Sequence, residues 1–226
     1  VLYTTDASHK KGITIAVNAG HGTKGGESVQ TLCHPDGSKK LSGGTTAAGS
    51  VTSFAVSSGM TFSDGTPEHV VTRQLAHAFM KQLLAEGYDV LMLRDGEDVQ
   101  LDNVARTVIA NNRANCHIAL HWDSTSQNKG AFYMSTPDGL KGMEPVASIW
   151  KKHENLGESL LYGLRKSGVK IYSSGSMPMD LTQTAYSTIP SVDIELGDRI
   201  SDHSDACIQT LAKALTDGVN KYYGVS

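Results

Sequence analysis

Four residues, two histidines and two glutamates, have side chains that could bind a metal ion and carry out acid–base chemistry. His21 lies between two glycines after the mostly apolar run 13–19, where no local packing explains an imidazole. Glu68 stands near the start of a predicted helix, and His121 and Glu195 stand near the ends of further apolar runs. Two histidines and one carboxylate are a common ligand set of catalytic zinc, with a fourth position left to water. The metal lowers the pKa of that water to about 7, and a second carboxylate nearby could accept its proton.

Each residue taken alone also has an ordinary structural explanation. His21 could be a simple turn residue, and the helix dipole favours acids such as Glu68 in a first helical turn. His121 could be a satisfied histidine at the end of a buried strand. Glu195 is harder to explain in this way, because acids are depleted in strands and Glu195 shares a strand face with Asp193. Together the four favour a metal site with a base beside it.

Strands that alternate with helices would bring these four residues together. The predicted strands are 13–21, 88–94, 116–122, 130–135, 169–173 and 190–197, and the predicted helices are 67–86, 101–114, 153–167 and 204–222. This order predicts an α/β fold, with a mostly parallel twisted sheet and helices on both faces. Ligands bind beyond the carboxyl ends of strands in such sheets, so residues far apart in sequence can meet there.

Local patterns predict further details. Thr66 is the predicted N-cap of the first helix, and Val104, Val108 and Ile109 are the predicted inward residues of the second. Residues 174–179 are predicted to be a loop and 180–188 to be irregular. His9, His153 and His203 are interpreted as surface or cap residues, and His34 as part of a polar insertion.

The chain is predicted to be a single domain with a long insertion after its first strand. Residues 1–12 form an exposed lead-in, and residues 13–226 form the domain that contains the insertion, 22–66. Gly, Ser and Thr crowd the insertion, which favours a long loop or a β-hairpin, with a strand pair within 51–56.

Composition excludes several other classes of protein. The 226 residues carry a net charge of −3, which gives no reason to expect nucleic acid as a partner. No apolar run approaches the roughly 20 residues of a membrane helix, and no signal peptide is recognisable at the start. Cys33, Cys116 and Cys207 have no CxxC spacing, so a cysteine zinc site is not expected. Three free thiols are favoured over one disulfide and one thiol.

Four blocks of sequence resemble the zinc-dependent N-acetylmuramoyl-L-alanine amidases of the amidase type 3 family. They are Ile-Ala-Val-Asn-Ala-Gly-His-Gly at 15–22, Pro-Glu-His-Val-Val-Thr-Arg-Gln-Leu-Ala at 67–76 with the strand at 88–94, the stretch 106–111 with Ala-Leu-His at 119–121, and Ile-Pro-Ser-Val-Asp-Ile-Glu-Leu-Gly at 189–197. Each block is weak alone, but their order and spacing are specific.

The resemblance implies a ligand set, a base and a substrate. His21, Glu68 and His121 would bind Zn²⁺, and Glu195 would be the general base. The substrate would be the amide between N-acetylmuramic acid and L-alanine in peptidoglycan, or in a muropeptide released from it. Such a substrate implies action outside the cytoplasm, in the cell wall or periplasm. Two alternatives stay open, a zinc-bearing peptidoglycan-binding module without activity and a zinc peptidase that cuts stem peptides.

The chain also departs from the family pattern near these residues. Asn18 stands where the family usually has aspartate. After the second histidine, Trp122-Asp123 stands in place of the common Ala-Asn pair. Asp193 is an unusual acid beside the expected base, and 198–202 differ from the usual aromatic and Ser-Asn pair. These differences bear on substrate preference and cleft shape.

Overall fold

A seven-stranded sheet carries the residues that could do chemistry. The computed structural model describes residues 1–225. Its strands are β1 (Leu2–Tyr3), β2 (Thr14–Ala19), β3 (Gln30–Leu32), β4 (Thr52–Phe54), β5 (Asp89–Met92), β6 (Cys116–Asp123), β7 (Ala131–Ser135), β8 (Ile171–Pro178) and β9 (Ser191–Asp198). Its helices are α1 (Glu68–Ala85), α2 (Asn103–Arg113), α3 (Val146–Lys166), α4 (Thr182–Tyr186) and α5 (Asp205–Tyr223).

The main sheet has the strand order β1-β5-β2-β6-β9-β7-β8, and β3 pairs with β4 in a separate two-stranded sheet. Four neighbouring pairs of the main sheet are parallel, whereas β1–β5 and β7–β9 are antiparallel. The predicted α/β class with a mostly parallel sheet is confirmed. Its central strands β2, β6 and β9 end side by side, and His121 lies opposite Glu195 in the β6–β9 register.

Helices cover both faces of the sheet because β2 alternates its buried side chains between them. Ile15 and Val17 belong to the larger core with residues of α1, α3 and α5, whereas Ala16 packs in a smaller core with Ala110 of α2. Glycines allow α3 and α5 to approach closely. A Cβ atom added at Gly163 would lie 2.0 Å from the Ala214 carbonyl oxygen, so no larger residue fits this helix crossing.

Two predictions about helices are wrong. The N-cap of α1 is Pro67 rather than Thr66, and no side chain caps this helix. In α2, Val108 is exposed and Val104 is only half-buried, whereas Ile109 packs against the smaller core as predicted and Arg106 is fully buried. The apolar pattern of α2 did not predict the burial of Arg106, whose side chain hydrogen-bonds to the backbone oxygens of Ala19 at the end of β2 and of His21 just after it.

The chain also has more regular structure than predicted. Residues 174–178 belong to the edge strand β8 rather than to a loop, and α4 interrupts the stretch 180–188. Helix α3 begins at Val146, before the predicted start at 153. The expected exposed lead-in contributes β1, which pairs antiparallel with β5.

The insertion is anchored to the domain rather than loosely attached. Its strands β3 and β4 pair antiparallel, and its residues Ala55, Val56, Met60 and Phe62 are buried. His34 is fully buried and hydrogen-bonds to Asp180, with His34 Nε2 2.8 Å from Asp180 Oδ1. The predicted three free thiols are confirmed. Within the described residues, no helix combines the length and the apolar character that crossing a membrane would require.

His153, predicted to be a surface residue, is instead buried in α3, where its Nδ1 atom accepts a hydrogen bond from the Ser191 backbone N–H at 2.8 Å. Burial lowers the pKa of His153 to about 4, and burial followed by the charge of Arg106 lowers the pKa of His117 to about 3. Both side chains are therefore neutral in the folded protein at pH 6, whereas the unfolded chain would bind protons there.

Because His117 and His153 bind protons more readily in the unfolded chain than in the folded protein, we expect the folded state to lose stability as the pH falls. Below about pH 6.5, each of these histidines should lower the free energy of unfolding by roughly 1.4 kcal/mol per pH unit, until its folded pKa is reached. Denaturant titrations of the wild type and of His153→Gln between pH 7 and pH 5 measure the effect. The variant should show a shallower slope, and an unchanged slope would contradict the assignment.

Candidate functional site

The structure brings His21, Glu68 and His121 together at the carboxyl edge of the sheet. His21 follows β2, Glu68 is the first residue of α1, and His121 lies near the end of β6. The Nε2 atom of His21 is 3.0 Å from Glu68 Oε2, and the Nδ1 atom of His121 is 3.0 Å from His21 Nε2 and 3.2 Å from Glu68 Oε1. One donor atom from each residue lies within 4.8 Å of the others, which is a spacing that could hold a metal ion.

His21 is oriented by its own backbone and by the end of the insertion. Its φ of 64° is in the left-handed region, which is uncommon for a residue with a side chain and is often found at functional sites. Its Nδ1 atom lies 2.8 Å from the Ser57 carbonyl oxygen. Because a carbonyl oxygen can only accept, Nδ1 carries the proton and Nε2 keeps its lone pair for a ligand.

Glu68 is held by two backbone N–H groups. Its Oε2 accepts from Met60 at 2.9 Å and its Oε1 accepts from Trp122 at 3.0 Å. Burial by itself would raise the pKa of Glu68, but the charge of His21 and the hydrogen bond with His121 bring it well below its ordinary value. The carboxylate is thus ionised and fixed in direction, as a metal ligand must be.

Glu195 stands beside this cluster on β9. Its Oε2 atom is buried and has no hydrogen-bond partner within residues 1–225. Burial raises the pKa of Glu195 well above its ordinary value; the charge of His121 opposes the rise, and Asp193 adds to it. A carboxyl group in this setting keeps its proton to a higher pH than an exposed one.

His121 is surrounded by negative charge. Burial alone would lower its pKa, but Asp193 and Glu68 raise the pKa of His121 to about 10. Asp123, the third acid of this region, is already paired, because Lys129 Nζ contacts its Oδ2. The excess of carboxylates around two imidazoles favours a bound cation.

Comparison with known families identifies the chain. The family model described as N-acetylmuramoyl-L-alanine amidase matches residues 15–221. The chain belongs to this family. The resemblance inferred from sequence is therefore confirmed, and so is the expectation of an enzyme, since these amidases are hydrolases that act on peptidoglycan.

Solved structures of amidases share the fold. The N-acetylmuramyl-L-alanine amidase Ami1 of Mycobacterium smegmatis superposes with a TM-score of 0.76 at 20% identity, covering 96% of this chain and 99% of that one. The N-acetylmuramoyl-L-alanine amidase AmiC2 of Nostoc punctiforme superposes with a TM-score of 0.66 at 16% identity, covering 96% and 99% of the two chains. A search of curated proteins finds no match.

A cleft with a volume of about 540 Å³ lies at the four candidate residues of the amidase. His21, Glu68, His121 and Glu195 all belong to its lining. Insertion residues such as Thr46, Phe54 and Met60 form part of its wall. Another part is formed by Met134, Met177 and Met179. The insertion therefore bounds the space in which a substrate would lie.

Arg106 is a supporting residue whose position the helical pattern of α2 did not predict. Its guanidinium donates to Asn18 Oδ1 at 3.0 Å, to the Ala19 carbonyl at 3.2 Å and to the His21 carbonyl at 2.7 Å. Burial, followed by the charge of Arg94, lowers the pKa of Arg106 to about 9, so the group stays charged at neutral pH. Its only sequence signal was the resemblance of 106–111 to the family.

The same contact explains how Asn18 is accommodated. Its amide oxygen accepts from Arg106, and its Nδ2 lies 3.5 Å from Gln183 Oε1. Asn18 thus satisfies both a donor and an acceptor beneath the site without adding another carboxylate. The backbone atoms that support the ligands, at Ser57 and Met60, carry no side-chain signal that a sequence could reveal.

Proposed function

We propose that the chain is a zinc-dependent amidase that hydrolyses the bond between N-acetylmuramic acid and L-alanine in peptidoglycan. His21, Glu68 and His121 would bind Zn²⁺, and Glu195 would act as the general base. The observation that carries the proposal is the meeting of three correctly spaced donors with a buried, unpartnered carboxylate in one cleft. Membership of the amidase family supports the same reaction.

The donor set fits zinc better than a harder cation. Two imidazole nitrogens with one carboxylate are typical of catalytic zinc, whereas Mg²⁺ and Ca²⁺ prefer oxygen ligands. The support around the donors fits as well, since the Ser57 carbonyl fixes the His21 tautomer and two N–H groups fix Glu68. When bound there, zinc would supply Lewis acidity that activates water and polarises the scissile carbonyl.

Glu195 would move the protons of the reaction. It would first take a proton from the attacking water and then deliver it to the nitrogen of the leaving L-alanine. A raised pKa suits both steps, because the group must hold the proton between them. Its unpartnered Oε2 is free to make these contacts.

We further propose that residues 13–226 form the catalytic domain with residues 22–66 as an insertion inside it. The insertion belongs functionally to the site, since its residues line the cleft and contact His21 and Glu68. Because the proposed substrate is cell-wall material, the enzyme would work outside the cytoplasm.

Incubation of the zinc-loaded protein with a disaccharide–peptide muropeptide tests the function. Mass spectrometry should find an intact disaccharide with a free lactyl acid and a peptide with a new N-terminal L-alanine. Removal of the metal with a chelator should stop the reaction, and added zinc should restore it. Peptide fragments would instead favour a peptidase, and bound zinc without any product would favour a binding module.

A further inference from the structure

We propose that Asp193 is a positioning residue that holds His121 with its Nδ1 atom toward His21 and Glu68. The inference rests on the zinc site proposed above and adds a residue that the ligand set and the base do not include. Asp193 matters here because the resembling family does not usually carry an acid at this place, so its role belongs to this chain.

The two nitrogens of His121 face different partners. Nδ1 lies 3.0 Å from His21 Nε2 and 3.2 Å from Glu68 Oε1, so it is the atom that points to the candidate metal position. Nε2 lies 3.6 Å from Asp193 Oδ2, so the carboxylate faces this nitrogen. A neutral imidazole has one proton, and Nδ1 can bind a metal only if that proton is on Nε2. A carboxylate facing Nε2 favours this tautomer.

Asp193 has no competing partner within residues 1–225. Its carboxylate lies beside His121 Nε2 and takes part in no side-chain hydrogen bond within these residues. Its side chain is 14% exposed, so little solvent is available to take the place of the histidine. Asp193 lies opposite Ala119 in the β6–β9 register. Because the Ala119 side chain is small, it does not separate the Asp193 carboxylate from the His121 ring.

The other sides of the His121 ring are already constrained by packing. A Cβ atom added at Gly20 would lie 2.2 Å from His121 Cε1, so the Gly20 backbone packs directly on the ring. The His21 ring meets His121 edge to face, with ring centroids 4.6 Å apart and planes at 88°. Packing restricts the ring plane but does not decide which nitrogen is protonated. Asp193 supplies the polar contact that makes this choice.

Zinc affinity and tautomer state test the role together. Asp193→Leu removes the acceptor at similar size, and Asp193→Asn keeps an amide oxygen that can still accept from Nε2–H. Loss of an outer partner of a metal-binding histidine typically weakens metal binding by about 10-fold to 100-fold. We expect Asp193→Leu to raise the zinc Kd by this factor and Asp193→Asn to raise it less. Competition with a chromophoric chelator measures both.

Asp123→Asn is the matched control for negative charge alone. Asp123 lines the same cleft but pairs with Lys129 rather than with His121. Nitrogen-15 NMR of the metal-free proteins, at a pH where His121 is neutral, should show the proton on Nε2 in the wild type and a mixture of tautomers in Asp193→Leu. If Asp123→Asn and Asp193→Asn weaken zinc binding equally, the positioning role is wrong, and the effect comes from the negative charge of the cleft in general. An unchanged Kd and unchanged tautomer in Asp193→Leu would also overturn it.

The outcomes separate this inference from the proposed function. If the wild type binds zinc and releases the expected products while Asp193→Leu behaves like it, only the positioning role fails. If the wild type binds no zinc, both fail. Circular dichroism checks that each variant folds, and Asp193→Ala, which also lacks an acceptor, takes the place of the leucine variant if that variant does not fold: an unchanged Kd and tautomer there would overturn the role.

Discussion

Glu195→Gln is expected to lower the turnover of muropeptide by about 100-fold to 10,000-fold, the range typical for loss of a general base. Glutamine has nearly the same shape as glutamate but cannot accept a proton at neutral pH. The Oε2 atom of Glu195 is buried without a partner in residues 1–225, so the substitution breaks no hydrogen bond there. Steady-state assays on a defined muropeptide measure the loss as a fall in kcat.

Zinc content decides what such a loss means. If Glu195 is the base, the variant should retain zinc at the wild-type stoichiometry, because the ligand atoms belong to His21, Glu68 and His121. Glu97→Gln is the matched control, since this side chain is 84% exposed and its substitution should leave turnover unchanged. Full activity in Glu195→Gln would exclude the residue as base, and loss of zinc would make it a ligand instead.

The candidate site was predictable from sequence because its side chains break local patterns. A histidine between glycines and an acid inside an apolar strand have no packing explanation, and the topology of a parallel sheet brings strand ends together. The support of the site was not predictable. Ser57 acts through its carbonyl oxygen and Met60 through its N–H group, and every residue type except proline offers both.

The elements of the fold that were missed share a physical reason. Strand β8 lies at the edge of the sheet, where Ser173 and Ser174 are exposed and no apolar alternation is required. Helix α2 buries Arg106 while Val108 is exposed, because the hydrogen bonds of the guanidinium outweigh the exposure of Val108. The spacing of apolar residues predicts which side chains are buried only where the hydrophobic effect drives the burial.

The insertion shows a third limit of sequence reasoning. Its composition predicted a long loop or hairpin with a possible role at the cleft, but not that one part would touch the candidate ligands. Gly59 has a φ of 86°, and a Cβ atom there would lie 2.8 Å from His21 Cδ2. A glycine in a glycine-rich stretch gives no sign of such a contact, which depends on how the chain returns to α1.

Gly20→Ala is expected to remove zinc and activity although it adds only a methyl group. The new Cβ atom would lie 2.2 Å from Cε1, 2.5 Å from Nε2 and 2.6 Å from Nδ1 of His121. The Gly20 backbone cannot easily retreat, because its carbonyl accepts from Thr72 Oγ1 at 2.9 Å and from Arg94 at 3.1 Å. The ring of His121 must therefore move, and Nδ1 then leaves the position from which it faces His21 and Glu68.

Zinc affinity should fall by more than about 100-fold, because one of the three proposed protein ligands would be displaced and its outer contacts broken together. Metal analysis and turnover measure the effect, and the unfolding midpoint shows whether the fold survives. Gly142→Ala is the control, since a Cβ atom there meets nothing within 4 Å. A Gly20→Ala protein with full zinc content would mean that His121 is not a ligand. Loss of zinc with an intact fold would instead show that the close packing of Gly20 on the His121 ring is needed for zinc binding.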